Sequence, residues 1–220
     1  MLQVRVETGS IRLTARHRVM ARPSCRTLVW AVFGVSLLLG PLAMAAAPTS
    51  EHPVEVHGAR DGTIPGWRIT TLAPAGWHDD CCNYAAFIGV NFVMYAGEWT
   101  GKPQRVMVLN VWPRKLPSLQ AEVLADRKHY LLSDPAAKAD DIVLHHRTMV
   151  CSGTLYRGSD KVDDMVVFCD PGRASGIRLS WSVAFDDGDT GRRALLDKFM
   201  RVVMASRYSE YATQAAAADH

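Results

Sequence analysis

The chain has few of the signatures that announce chemistry. It contains no G-x-S-x-G elbow to expose a nucleophilic serine, and neither Ser152-Gly153 nor Ser180-Trp181 sits in a recognisable motif. It has no C-x-x-C pair for thiol–disulfide exchange. Its cysteines also lack the spaced pairs that close a structural zinc site. The run Phe185-Asp186-Asp187-Gly188-Asp189 has neither the ligand spacing nor the distal Glu of a calcium loop, and reads as a turn that leads into a helix cap. Basic charge is scarce too. The 220 residues carry a formal +3, but six arginines and one glutamate lie before residue 46. Residues 46–220 hold 19 Lys and Arg against 21 Asp and Glu, close to −2. A nucleic-acid partner calls for a basic stripe, and none is present. No catalytic residue, cofactor or metal is assigned on this basis.

What is present begins with export. Residues 28–44 read LVWAVFGVSLLLGPLAM, preceded by Arg22 and Arg26 and followed by Ala43-Met44-Ala45. A basic segment, an apolar run and an A-x-A site form a secretory signal peptide, here residues 1–45 with cleavage after Ala45. Residues 1–19 lengthen the basic segment unusually, and Met20 offers a compact alternative start. The run is shorter than the about 20 residues a spanning helix needs, and Gly34, Gly40 and Pro41 interrupt it. An uncleaved membrane anchor is the competing reading. No Cys follows the run to accept a lipid.

Beyond the leader, residues 46–64 are small and polar and read as a flexible lead-in. Residues 65–211 suit one domain, and residues 212–220 (ATQAAAADH) have nothing to bury. A strand over 67–72 closes in the Ala73-Pro74-Ala75-Gly76-Trp77 turn. An apolar stretch over 84–99 is broken by Gly89 and Gly97, and residues 104–112 form a strand buried on both sides. Pro117-Ser118 opens a helix that presents Leu119, Val123, Leu124, Tyr130 and Leu131 inward and Glu122, Asp126 and Lys128 outward. Residues 136–141 are a polar connection. Residues 142–157 and 162–170 form a hairpin around Gly158-Ser159-Asp160-Lys161. Residues 176–185 alternate strictly, with one buried and one wet face. Asp189 or Thr190 caps a last helix whose stripe is Leu195, Leu196, Phe199, Met200 and Val203, with Asp197 and Arg201 as an i,i+4 pair. Strands in series without alternating helices give an α+β fold, a central antiparallel sheet with two main helices packed on its faces.

This order resembles the PsbP fold, shared by bacterial DcrB-like proteins. The likeness rests on the entry W-R-I-T-T-L-A-P-A-G-W (67–77), the central helix over 117–133 and the closing FMRVVMASRY (199–208). It implies a PsbP-like α+β domain over about 67–206, no shared catalytic residues, and action by binding other proteins.

Four cysteines remain after the leader: Cys81, Cys82, Cys151 and Cys169. An even count in an exported chain argues for disulfides. A hairpin centred on Asp160 sets Cys151 opposite Cys169, which leaves Cys81 and Cys82 free or joined to each other. The alternative joins Cys81 and Cys82 to Cys151 and Cys169. His78-Asp79-Asp80, beside the adjacent cysteines, is the one cluster suited to a small envelope-acting hydrolase. His145-His146 lies in a strand, so its rings point to opposite faces. Trp67, Trp77, Trp99, Trp112 and Trp181 read as core. The leading expectation is a periplasmic, non-catalytic protein that binds a protein partner, such as an inhibitor or immunity-type protein. The hydrolase near His78–Asp80 and a membrane accessory protein held by an uncleaved leader are the alternatives. N-terminal sequencing of the exported chain is expected to begin at Ala46; recovery of residues 1–45 intact would establish the anchored form instead.

Overall fold

The computed structural model describes residues 49–98 and 104–211. The leader, Trp99 and the 212–220 tail lie outside the described residues. Two antiparallel sheets form the frame. A seven-stranded sheet has the order β3-β4-β5-β9-β8-β7-β6, built from His78–Asp80 (β3), Phe92–Ala96 (β4), Arg105–Pro113 (β5), Lys138–Ile142 (β6), Val150–Arg157 (β7), Val162–Asp170 (β8) and Ile177–Asp186 (β9). A three-stranded sheet has the order β1-β2-β10, from His52–Gly58 (β1), Trp67–Ala73 (β2) and Arg207–Glu210 (β10). Three α-helices complete the domain: Tyr84–Ile88 (α1), Leu119–Ser133 (α2) and Arg192–Ala205 (α3). The α+β expectation with a central antiparallel sheet holds.

Strand alternation divides the large sheet into two unlike faces. Ile177, Leu179, Trp181, Val183 and Phe185 of β9 point to one face, beside Met165 and Val167 of β8 and Met107 and Leu109 of β5. The small sheet and α3 cover this face with Val54, Val56, Ile69, Leu195, Phe199, Val202 and Val203, making the main apolar core. Each fully buried large side chain here contributes about 1.5–3 kcal/mol. On the other face β9 presents Arg178, Ser180 and Ser182, and α1 and α2 lie over it.

Local sequence explains the punctuation. Gly76 has φ +79° in the turn after β2, where the Trp77 amide donates to the Pro74 carbonyl. Gly89 ends α1 in the left-handed conformation, and its amide and the next reach back to the Ala86 and Ala85 carbonyls. Ser118 caps α2, its hydroxyl accepting from the Ala121 amide at 3.1 Å. The β7–β8 turn takes Lys161 at φ +68°, with Asp160 accepting from the Val162 amide.

Several sequence expectations change. The lead-in is not featureless: β1 lies within it and pairs along its length with β2, burying Val54 and Val56. The 136–141 connection contains most of β6, a polar edge strand paired with β7. The hairpin strand begins at Val150, which places His145 and His146 in the preceding loop rather than on opposite faces of a strand. The face of α2 is rotated from expectation: Glu122 and Asp126 are buried with Val123 and Tyr130, while Leu124 is 53% exposed. The second face of β9 is not uniformly wet, since Arg178 and Ser180 are buried. Neither Asp189 nor Thr190 caps α3. Gly191 holds that position, and Asp189 accepts from its amide instead. Arg201 faces Glu51 at 3.5 Å.

Candidate functional site

The α2 face of the sheet holds a cleft of about 370 Å³ between the end of α1 and the length of α2. Its floor comes from three neighbouring strands. Asn110 and Val108 project from β5, Ser180 and Ser182 from β9, and Val166 and Phe168 from β8. Alternation puts these residues on one side, and the small serines at the centre leave the floor low. Trp112 and Phe168 form an edge-to-face pair at one wall, with ring centroids 6.0 Å apart. Asn91 holds the α1 side, its side-chain oxygen accepting from the Val111 amide at 2.6 Å.

The α2 wall carries the charge. Asp126, His129, Tyr130, Ser133 and Asp134 line it, and Asp164 faces them from β8. Spacing of three and four residues brings 126, 129, 130 and 133 to one helix side. Each carboxylate is fixed by a donor from another element. The Tyr156 phenol donates to Asp126 at 2.7 Å, and the Tyr130 phenol donates to Asp164 at 2.9 Å. The Ser159 amide and hydroxyl both donate to Asp134 at 2.7 Å. The rings of Tyr130 and Tyr156 stack 4.1 Å apart. Burial first, and then the Asp126 carboxylate, push the Tyr156 phenol far above its ordinary pKa. Among the described residues, three carboxylates and no Lys or Arg line the cleft. Such a surface, with aromatic rings beside it, attracts a cation.

Below the cleft, Arg178 anchors the start of α2. It is fully buried, and its Nη1 donates to Glu122 and to the Leu116 carbonyl, both at 2.9 Å. Its Nε donates to Asp170 at 3.2 Å, and Arg114 pairs with the same carboxylate.

The sequence-chosen residues lie outside this cleft, and His78, Asp79 and Asp80 gather around Tyr95. His78 stacks on Tyr95, Asp79 accepts from His52 at 3.1 Å, and Asp80 accepts from the Cys82 and Ala85 amides at the start of α1. These contacts link β3 to β1, β4 and α1. Cys151 and Cys169 stand directly opposite in the β7–β8 ladder and form a disulfide, as the hairpin register implies. Cys81 and Cys82 pair with each other in this structure rather than with Cys151 and Cys169. Trp77 and Trp181 are core residues. Among the described residues no group of three or more His, Cys, Asp and Glu is placed to hold a metal ion. The cleft residues escaped sequence reasoning because they belong to five elements and no motif. Their one local signal was the row of polar positions Arg178, Ser180 and Ser182 along β9.

The raised Tyr156 pKa has a testable sign. Above about pH 10 the unfolded chain releases this proton while the folded chain keeps it, so stability falls as pH rises. In Tyr156→Phe the alkaline slope is expected to flatten by up to about 1.4 kcal/mol per pH unit. Near neutrality the same variant is expected to lose about 2 kcal/mol, the worth of a hydrogen bond to a charged group. Urea denaturation from pH 7 to 11 measures both, and an unchanged alkaline slope would contradict the assignment.

A scan against protein-family models returns no match, and a search of curated proteins returns none. Among solved structures the chain is similar to cyanobacterial PsbP (CyanoP) from Synechocystis sp. PCC 6803, determined in solution. The identity is 15%, the alignment covers 78% of this chain and 96% of that one, and the TM-score is 0.45. The PsbP resemblance read from the sequence has its counterpart in that structure, and the likeness is one of fold alone.

Proposed function

We propose that this chain is an exported, non-catalytic binding protein of the periplasm, and that the cleft between α1 and α2 receives a basic side chain presented by a partner protein. The observation that carries the reading is the lining among the described residues: three carboxylates and the aromatic surfaces of Trp112, Tyr130 and Phe168, with no Lys or Arg among them. A guanidinium or ammonium group entering there meets negative charge and ring faces, and its remaining donors find Asn110 and the serines of β9. The volume falls in the range of pockets that enclose a small group or one long side chain. Action as an inhibitor or immunity-type protein is the narrower form, in which the received side chain belongs to the neutralised target.

The direct test is nuclear magnetic resonance titration with capped tripeptides centred on Arg, Lys or Glu. Shifts are expected for the Trp112 indole and the Ser180 and Ser182 amides with the basic peptides only, weakening as salt is raised. Ser182→Phe fills the cleft without altering its charge and is expected to weaken binding at least about tenfold, a change of about 1.4 kcal/mol. Equal response to the Glu peptide, or undiminished binding by Ser182→Phe, would overturn the proposal.

A further inference from the structure

A second concavity lies on the opposite side of the molecule, where β2, α3 and the loop before β7 meet, and its charge is reversed. It measures about 330 Å³ and is rimmed by Arg147, Lys198, Arg201 and Arg207. Glu51 is the one acid in its lining, facing Arg201 at 3.5 Å. Four cations against one anion form a strong local excess in a chain whose residues 46–220 are net acidic. The base is apolar, formed in part by Leu72, which remains 42% exposed. Arg207 is held rigidly, with Nη1 donating to the Met204 and Ser206 carbonyls at 2.9 and 2.7 Å. Its charge, added to burial, lowers the pKa of neighbouring His146.

We propose that this groove docks the domain on an anionic phospholipid surface, its cations against headgroup phosphates and Leu72 against the acyl boundary. Two observations select a membrane over an acidic protein. The first is the combination of a cationic rim with an exposed apolar base, the amphipathic arrangement that lies in a bilayer interface. The second is chain length. Glu51, in the groove lining, follows the last residue of the apolar run 28–44 by seven positions. Seven residues span at most about 25 Å. Whenever that run occupies the bilayer, before cleavage or as an uncleaved anchor, Glu51 lies within about 25 Å of it. Clustered Lys and Arg beside a membrane-inserting segment are attracted to anionic headgroups. The inference is independent of the cleft, whose charge has the opposite sign.

The exported chain is tested by co-sedimentation with phosphatidylcholine vesicles, with and without phosphatidylglycerol. Binding is expected to the anionic vesicles only and to fall as salt is raised. Arg147 and Arg201 are exposed, so Arg147→Glu/Arg201→Glu leaves the core untouched. That variant is expected to bind anionic vesicles at least about tenfold more weakly. Arg60→Glu/Arg173→Glu makes the same charge change at exposed positions outside the groove lining, and is expected to retain most of the binding. Circular dichroism confirms that both variants fold. Equal loss in both would reduce the effect to net charge and overturn the groove. Equal binding to uncharged vesicles would show that headgroup charge plays no part and would overturn the proposal. Binding to polyglutamate without binding to vesicles would replace the membrane with an acidic protein.

Discussion

Arg178 is a guanidinium in the fourth strand of a seven-stranded sheet, with no exposed surface. Removing a charge from water costs several kcal/mol unless partners surround it. Here Glu122 and the Leu116 carbonyl arrive from the α2 segment, Asp170 from β8, and Arg114 balances the second carboxylate. The partners fix where α2 begins. Further along the helix the contacts remain polar, through Asp126 with Tyr156, Tyr130 with Asp164 and Asp134 with Ser159. A helix held by long polar side chains need not press its backbone onto the sheet. Where the floor is Ser180 and Ser182, no side chain fills the space, and the cleft is what remains.

The opposite face obeys the other rule. There the alternating β9 side chains are all apolar, and α3 with the small sheet closes over them to form the main core. The same strand therefore faces the main core on one side and the cleft on the other. The Cys151–Cys169 disulfide ties β7 to β8 along this frame. The cleft and the basic groove sit on opposite sides of it.

Features governed by local pattern were legible in the sequence. Strict alternation marks β9, turn residues place the β7–β8 hairpin, and its symmetry about Asp160 sets Cys151 opposite Cys169, with the cross-linked pairing left open. Features governed by distant partners were not. Hydropathy put Leu124 inside α2 and Glu122 and Asp126 outside, whereas Glu122 is buried by an arginine 56 residues away and Asp126 by a tyrosine 30 residues away. Nothing within the helix records either partner. The edge strand β6 (KADDI) has too little apolar content to register as a strand. In β1, Val54 and Val56 did alternate, but two apolar positions in seven are a faint signal beside the surrounding Pro and Gly. The cleft inherits this problem, since the buried face of α2 is rotated from the one hydropathy marks.

Amide hydrogen exchange on Glu122→Leu tests the dependence on Arg178 most directly. Removing one partner of a buried pair costs about 3 kcal/mol or more, so amides of α2 are expected to exchange about 100-fold faster, while those of β5, β8 and β9 stay protected. A Glu122→Leu/Arg178→Met variant, which leaves Asp170 paired with Arg114, is expected to recover most of that protection. Unchanged exchange in α2, or equal loss across the whole sheet, would contradict the claim that this buried ion cluster docks the helix and holds the cleft open.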